Sequence, residues 1–289
     1  MPPTSASSGA QEARQHLADQ LREIRKAAGL NGTELARLAG WPGVAKVSRV
    51  ENGKRPISAE DLRTWCRVCQ VPAERTEELL AERNAVAGMW VSYNRLHRSG
   101  LKQAQTAVRP VYERAIMVRS YQTKIVPGLL QTPGTTTAQL DAVRRTLRLT
   151  VNDVAEAVAE RMERQKVLWS GRCRFLFVIE EAVLRYRTCD AATHAVQLQH
   201  LLTVMSLPAV SLGIIPTDAP RLKVWPEESF VMFDDELVAV ELVSGVLNIT
   251  QPREIALYRK SFTVLSGLAV HGDKARALIR SALEALERE

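Results

Sequence analysis

Residues 30–56 read LNGTELARLAGWPGVAKVSRVENGKRP. Asn31 is suited to begin a helix, because its side chain can accept hydrogen bonds from the free N–H groups of a first turn. Gly40 can end that helix. A second helix is predicted after Pro42, with valines at three-residue spacing on one face, Val44, Val47 and Val50. The stretch therefore predicts two short helices joined by a glycine turn.

Further helices are predicted on both sides of this pair. Leu17, Leu21 and Ile24 share one face of a helix that stops at Gly29. Ser58 begins a fourth helix, and Pro72 begins a fifth, long one that runs to about Arg98. The predicted organisation is a disordered tail over residues 1–12, an all-α bundle over 13–72 and a connecting helix and linker over 73–109, with the linker at 100–110.

The remaining residues, 110–289, predict an α+β domain. Short β-branched or aromatic runs bounded by Pro, Gly or Asp are typical of strands. They occur at residues 115–126, 174–179, 209–215, 229–233 and 237–243. Helical patterns occur at residues 135–147, 151–169, 193–205, 253–269 and 273–286. The fold class is therefore mixed: an all-α N-terminal bundle followed by a small sheet flanked by helices.

The charge of the chain is uneven. Lys and Arg number 39 against 32 Asp and Glu, and residues 13–55 alone hold 9 cationic against 4 acidic residues. A local basic excess favours a polyanionic partner such as DNA or an anionic lipid surface. This excess coincides with the two short helices.

Two helices joined by a glycine turn form the helix-turn-helix plan, in which the second helix enters the DNA major groove. The run Leu35-Ala36 followed by Val47-Ser48-Arg49-Val50-Glu51-Asn52-Gly53 resembles the Cro and phage-repressor type of helix-turn-helix, the Xre family. The resemblance covers about residues 15–72 and implies binding of double-stranded DNA. A helical bundle that makes only protein contacts is the alternative.

The predicted DNA-binding residues lie on the two helices and the loop that follows them. They are Asn31, Thr33, Val44, Ala45, Lys46, Ser48, Arg49, Lys54 and Arg55. Lys46 and Arg49 lie outside the valine face and are predicted to enter the groove, with phosphate contact or solvent exposure as alternatives. Ser48 either contacts phosphate or packs locally. Glu51 and Asn52 are interpreted as structural.

Two departures from the family pattern bear on these assignments. Gly32 stands where the family often has Gln, and residues 41–47 hold one residue more than usual between Gly40 and Ser48. One extra residue rotates a helix by about 100°. The sequence therefore leaves undecided which side chains of the second helix face the bases.

The second domain also resembles a known family. Residues 125–132 (IVPGLLQT), 161–165 (RMERQ) and 180–185 (EEAVLR) occur in that order in the C-terminal domain of WhiJ-like, antitoxin-like bacterial regulators. The resemblance implies a partner-binding or effector domain, and a small protein encoded nearby as a possible partner. Pro133-Gly134 departs from the family, which usually has an aromatic residue and Ala there.

The residues do not support catalysis, metal binding or a cofactor. Glu180 and Glu181 would point to opposite faces of a strand, and His194 and His200 would lie on different sides of a helix. Cys66 and Cys69 are separated by two residues but lack a second ligand pair, so packing in the core is the preferred interpretation. The sequence predicts no enzyme, no cofactor and no metal site.

The charge-free stretch from Leu201 to Thr217 is too interrupted for a membrane span, and no secretory signal opens the chain. A cytoplasmic protein is expected. The predicted function is a sequence-specific transcription regulator, a homodimer whose second domain binds a partner or ligand that alters DNA affinity. The alternative is an antitoxin-like adaptor that neutralises a small partner and regulates its own operon. Trp90, Trp169 and Trp225 are interpreted as core residues, with a dimer contact or pocket as the alternative.

Overall fold

Two units are seen in the computed structural model of the chain, Met1–Val91 and Ser92–Glu289. The structure describes residues 7–222 and 228–288. Within them, the first unit is helical and the second holds strands and helices. The mixed fold class predicted from the sequence is therefore confirmed.

The helices of the first unit follow the predicted order. Their bounds are α1 (Ser7–Ala27), α2 (Gly32–Leu38), α3 (Val44–Glu51), α4 (Ala59–Val68) and α5 (Ala73–Met89). Each contributes apolar side chains to one core, in which Leu21, Leu35 and Trp65 are fully buried. Turn glycines Gly29 and Gly40 adopt φ of 71° and 69°, a left-handed conformation that glycine adopts without a steric penalty.

Helix α1 begins earlier than the sequence predicted. It starts at Ser7, so it includes half of the segment 1–12 that was predicted to be a disordered tail. Residues 10–13 (AQEA) have favourable helix propensities, which the absence of apolar anchors had outweighed in the prediction. Residues 1–6 lie outside the described residues, so the prediction for them stands untested.

Helix α5 ends at Met89, although the sequence predicted that it continues to Arg98. Trp90 is extended, and a three-residue strand, β1 (Trp90–Ser92), follows. The Ser92 hydroxyl then accepts a hydrogen bond from Arg95 N at 3.4 Å and begins the short helix α6 (Tyr93–Leu96). The apolar spacing therefore predicted one helix where the structure has three elements, α5, β1 and α6.

The predicted linker at residues 100–110 is instead helix α7 (Leu101–Arg114). The carboxylate of Asp153 accepts hydrogen bonds from Leu101 N at 3.0 Å and Lys102 N at 2.9 Å, and so caps the first turn. Gly100, at φ 101°, makes room for this cap: a Cβ there would lie 2.3 Å from Asp153 Oδ2. The cap comes from a residue 52 positions away, which local sequence patterns do not reveal.

The second unit contains both strands and helices. Its strands are β2 (Met117–Gln122), β3 (Arg174–Glu180), β4 (Val210–Ile215), β5 (Phe230–Phe233), β6 (Leu237–Leu242) and β7 (Gly245–Ile249). Its longer helices after α7 are α8 (Pro133–Thr146), α9 (Val154–Gln165), α10 (Ala191–Val204), α11 (Pro252–Leu268) and α12 (Gly272–Glu287). The strand β7 was missed, although its alternating burial at Gly245, Leu247 and Ile249 is a period-two pattern.

The sheet of the described residues has seven strands. Six belong entirely to the second unit, in the order β7-β6-β5-β2-β3-β4, and β1 is the segment at which the units divide. Strands β2, β3 and β4 are parallel, with helices in the connections between them, as parallel pairing requires. Strands β5, β6 and β7 are antiparallel, which suits their short connections.

One core of the second unit lies between the sheet and helices α10 and α12. Phe175 and Phe177 of β3 are fully buried and meet Leu201 and Ile279 from the two helices. At the N-terminus of α8, Gly134 lies against Thr193, where a Cβ would come within 2.9 Å of the Thr193 methyl group. This close approach accounts for glycine at position 134.

We expect Asp153→Ala to destabilise the full chain by about 1 kcal/mol, the usual cost of losing a helix cap. Hydrogen exchange should accelerate at the first turn of α7, because the Leu101 and Lys102 amides lose their acceptor. Glu163→Ala is a control, since its pair with Lys166 is exposed and of little value to stability. Unchanged exchange at Leu101 and Lys102 would contradict the assigned cap.

Candidate DNA interface

Helix α3 has one buried and one exposed face. Val47 and Val50 are buried in the helical core, whereas Ala45, Ser48 and Arg49 are exposed. An α-helix turns by about 100° per residue, so this division follows from the valine spacing. The exposed face is predominantly small or polar and carries one guanidinium, which suits approach to base edges.

Gly32, the departure in α2, lies directly against α3. A Cβ at this position would be 3.0 Å from Val44 Cγ2 and 3.6 Å from Val47 Cγ1. Val44 remains 46% exposed at the start of α3. The small residue at 32 therefore allows the first turn of α3 to pack closely on α2.

The C-terminus of α3 is held by a buried ion pair. The Glu51 carboxylate, about 9% exposed, accepts from Arg25 Nε at 2.6 Å and Nη2 at 3.0 Å. The Arg25 Nη1 group also donates to Leu30 O at 2.8 Å, in the connection to α2. Hydrogen bonding to Glu51 raises the pKa of Arg25 above its ordinary value. The interpretation of Glu51 as structural fits these contacts.

Arg22 adds a second cation at the same helix end. Its Nη2 donates to Glu51 O at 2.6 Å and to Asn52 Oδ1 at 3.3 Å. A cation at a helix C-terminus satisfies carbonyls and opposes the negative end of the helix dipole. Helices α1 and α3 are thereby joined by both charge and backbone contacts.

Lys46 is half-buried and already paired. Its Nζ lies 2.6 Å from Asp61 Oδ1 on α4 and 4.4 Å from the centre of the Trp41 ring. Burial of Asp61 disfavours its charged form, but hydrogen bonds from Lys46 and Ser58 outweigh burial, so the pKa of Asp61 is lowered. In this structure Lys46 is directed to α4, apart from the exposed Arg49.

Ser48 and Arg49 make local contacts from the exposed face. Asn52 Nδ2 donates to Ser48 O at 2.7 Å and to Ser48 Oγ at 3.3 Å. Arg49 Nε donates to Ala45 O at 3.1 Å. Both side chains stay exposed.

Lys54 and Arg55 begin the loop after α3. Their backbone N–H groups donate to Arg49 O at 2.9 and 3.1 Å, so the loop is fixed to the last turn of the helix. Both side chains are exposed. Two cations are thus placed beside the exposed face of α3.

Asn31 and Thr33 lie at the start of α2. The Asn31 side chain accepts from Thr33 N at 3.0 Å and Glu34 N at 2.9 Å, and the Glu34 carboxylate accepts from Asn31 N at 2.7 Å. This reciprocal arrangement is a capping box. Asn31 therefore uses its side-chain oxygen within the helix, while Thr33 is exposed.

The structure separates the predicted residues into groups. Those exposed on α3 or its following loop are Val44, Ala45, Ser48, Arg49, Lys54 and Arg55. Lys46 and Asn31 are engaged within the unit, and Thr33 lies on α2. Sequence reasoning missed the residues that orient α3, namely Arg22, Arg25, Trp41 and Asp61, because their partners lie outside the local pattern.

Cys66 of α4 and Cys69 at the C-terminal end of that helix pack in the core, as predicted. Cys66 and Cys69 are buried beside Trp65 and Leu62. Burial raises the pKa of the Cys66 thiol and raises that of Cys69 to about 11. Thiols held in the neutral form are poor nucleophiles.

Glu180, Glu181 and His194 of the second unit have structural partners. Glu180 accepts from Tyr121 Oη at 2.6 Å and Arg221 Nη1 at 3.0 Å, and Glu181 accepts from Thr217 N at 3.0 Å. His194 is buried with its Nε2 2.9 Å from Leu184 O. Burial lowers the pKa of His200.

The tryptophan interpretation needs one correction. Trp169 is 58% exposed, because it ends a short 3₁₀ turn at Lys166–Trp169 on the surface. Trp90 is half-buried, and Trp225 lies outside the described residues.

Two families match the chain. Residues 111–281, more than half of the chain, match the family described as Domain of unknown function (DUF5753). Residues 16–79 match a family described as Helix-turn-helix domain, which supports a DNA-binding regulator. The helix-turn-helix match lies within the first unit, and the DUF5753 match lies within the second.

The solved structure of TrmBL2, an archaeal chromatin protein reported to show a novel mode of DNA binding, has 13% identity and a TM-score of 0.33. The alignment covers 84% of this chain and 88% of that one, but so weak a likeness carries no argument. No curated protein matches the chain. None of the helices that the structure describes combines the length and apolar character of a membrane span.

We expect Glu51→Ala to destabilise the helix-turn-helix unit by about 3 kcal/mol, since Arg25 is left buried without its counter-charge. Chemical unfolding of the full chain, with hydrogen exchange over α3, measures the loss. Glu23→Ala is the matched control, because the Glu23–Lys26 pair is exposed and its loss should cost less than about 0.5 kcal/mol. Equal effects of the two substitutions would contradict a structural role for the Glu51–Arg25 pair.

Proposed function

The chain belongs to the family defined by the DUF5753 domain of unknown function, and we propose that it is a sequence-specific DNA-binding transcription regulator. The observation that carries this proposal is the exposed face of α3, with Arg49 on it and Lys54 and Arg55 beside it. The major groove admits one α-helix and presents a distinct pattern of donors and acceptors for each base pair.

Within this proposal, Arg49 reads a base. A guanidinium can donate two parallel hydrogen bonds to the O6 and N7 atoms of guanine. The contact from Arg49 Nε to Ala45 O is intrahelical and leaves the terminal nitrogens for DNA. Ala45 and Val44 offer methyl groups to the groove, where thymine presents its own methyl group.

Lys54, Arg55 and Ser48 contact phosphates in this arrangement. Phosphate contacts set the register of a reading helix, and base contacts give specificity. Attachment of the loop to Arg49 O keeps these cations in a fixed position relative to α3. Their charge supplies the part of the affinity that depends on salt.

We assign Lys46 a positioning role in place of the base contact first predicted for it. Reaching a base would require it to leave both Asp61 and the Trp41 ring. Its ion pair joins α3 to α4, and its removal would change the orientation of the reading helix. Asn31 acts through the helix that it caps.

The second unit is proposed as an effector or partner-binding domain of a cytoplasmic homodimer. This part rests on the resemblance to WhiJ-like regulators and on the two-fold symmetry common among helix-turn-helix proteins. Contacts that restrain Glu180, Glu181 and His194 favour a binding role over catalysis. Light scattering of the full chain, alone and on DNA, tests the dimer, and a monomer in both states would remove it.

Selection from a random duplex library should enrich a binding site for the full-length protein. We expect Arg49→Ala to weaken binding to that site by about 1–3 kcal/mol and to relax specificity at one base pair. Binding to the selected site and to each single-base variant measures both effects. Absence of any enriched site at moderate salt would contradict the proposed function.

We expect Lys54→Ala to weaken binding to all duplexes alike. It should also reduce the slope of log K against log salt by about one, because one phosphate contact is lost. Lys166→Ala is the control, since it removes one positive charge from an exposed position on the second unit. If both variants keep the wild-type slope, the loop after α3 is not a phosphate contact.

A further inference from the structure

Three arginines gather where helices α7 and α9 pack together. Arg109 lies on α7, and Arg161 and Arg164 lie three residues apart on α9, a spacing that places side chains on one helix face. The one carboxylate within ion-pair distance among the described residues is Glu160, which pairs with Arg109. The cluster therefore has more positive than negative charge at close range.

Arg161 is held by amide oxygens and not by a carboxylate. Its Nε donates to Gln105 Oε1 at 3.0 Å, and its Nη1 donates to Gln131 Oε1 at 2.7 Å. The guanidinium lies over Gly128, where an added Cβ would be 3.7 Å from Arg161 Nη1. These neutral partners fix the position of the cation without neutralising its charge.

Arg164 is only 5% exposed. Its Nη1 donates to Gln105 O at 3.2 Å, and its guanidinium carbon lies 5.2 Å from the centre of the Tyr112 ring. Its Nε is buried and has no hydrogen-bond partner, and the same is true of Arg109 Nε. Two guanidinium N–H donors of the cluster, and one acceptor, Glu160 Oε1 beside Arg109, thus lack a hydrogen-bond partner among the described residues.

Such an arrangement is costly. A buried charge loses its hydration, and without a nearby counter-charge this free-energy cost is not compensated. A buried donor that makes no hydrogen bond adds a further cost. Burial, together with the charge of Arg164, lowers the pKa of Arg161 to about 10. Burial also lowers the pKa of Arg164, against the opposing effects of Tyr112, Glu160 and Glu241. Glu241 lies on β6 and acts only at longer range than an ion pair.

We propose that Arg109, Arg161 and Arg164 bind a small oxyanion, a ligand that carries a carboxylate or a phosphate group. Guanidinium groups donate paired hydrogen bonds to either group, and low local polarity strengthens such bonds. Because Arg164 is buried, only a small ligand could reach it. Solvent reaches the cluster at Arg161, which is partly exposed, and at Arg109, whose side chain is 30% exposed. Binding at this site does not depend on the proposed DNA contacts.

The test uses the full chain and two anions, inorganic phosphate and succinate, each compared with chloride at equal ionic strength. Thermal unfolding and titration calorimetry report binding, because a ligand of the folded state raises its apparent stability. Stabilisation by phosphate alone identifies a phosphate site, by succinate alone a carboxylate site, and by both a general oxyanion site. No stabilisation beyond chloride by either anion would overturn the proposal.

Arg164→Met separates binding from structure. In chloride, we expect its unfolding midpoint to equal or exceed that of the wild type, since an uncompensated buried charge is replaced by an apolar chain of similar length. Its affinity for the stabilising anion should fall by about tenfold or more, as for loss of a charge-assisted hydrogen bond. A lower midpoint together with unchanged anion affinity would overturn the proposal and make Arg164 structural.

Two further variants complete the experiment. Arg161→Gln removes the mostly buried cation of Arg161 and should also weaken anion binding, so the test remains decisive if Arg164→Met does not fold. Arg145→Met is the control, because Arg145 is an exposed arginine of α8, 67% accessible and paired with Asp141. Equal loss of anion binding in Arg145→Met would show a general charge effect and overturn the assignment to this cluster.

Discussion

The first unit depends on the buried carboxylate of Glu51. This one group fixes the end of α3 to Arg25 of α1, and Arg25 in turn holds Leu30 O at the entry to α2. Three elements are therefore oriented by a single ion pair. Hydrophobic contacts at Val47 and Val50 bring α3 to the core, but apolar packing tolerates small rotations that a directional ion pair does not. The direction of the exposed face follows from this constraint.

The helices of the first unit could be predicted from sequence because their signals are local. Asn31 and Gly40 lie next to the turns that they specify, and the valines of α3 recur within one short helix. Helix α7 could not be predicted in this way. Its cap is Asp153, and a stretch bounded by Gly100 and Pro110 is also typical of a linker. Long-range capping leaves no pattern at the helix itself.

The candidate site shows the same division between local and distant determinants. Periodicity predicted correctly that Arg49 lies outside the buried face of α3. It also placed Lys46 outside that face, but periodicity does not report what a neighbouring helix offers to a long side chain. Asp61, fifteen residues away, provides a carboxylate, and Trp41 provides an aromatic ring. Electrostatic partners of this kind decide which cations of α3 stay exposed and unpaired by a neighbouring helix.

The two units use buried arginine in opposite ways. Arg25 meets the Glu51 carboxylate with two hydrogen bonds, and burial of the pair is balanced within the chain. Arg161 and Arg164 meet amide oxygens, a backbone carbonyl and an aromatic ring, none of which carries a full negative charge. A guanidinium whose charge is balanced internally is part of the fold. One that is held in place but not neutralised retains most of its attraction for an anion, so charge balance separates the structural arginines of this protein from those available for a ligand.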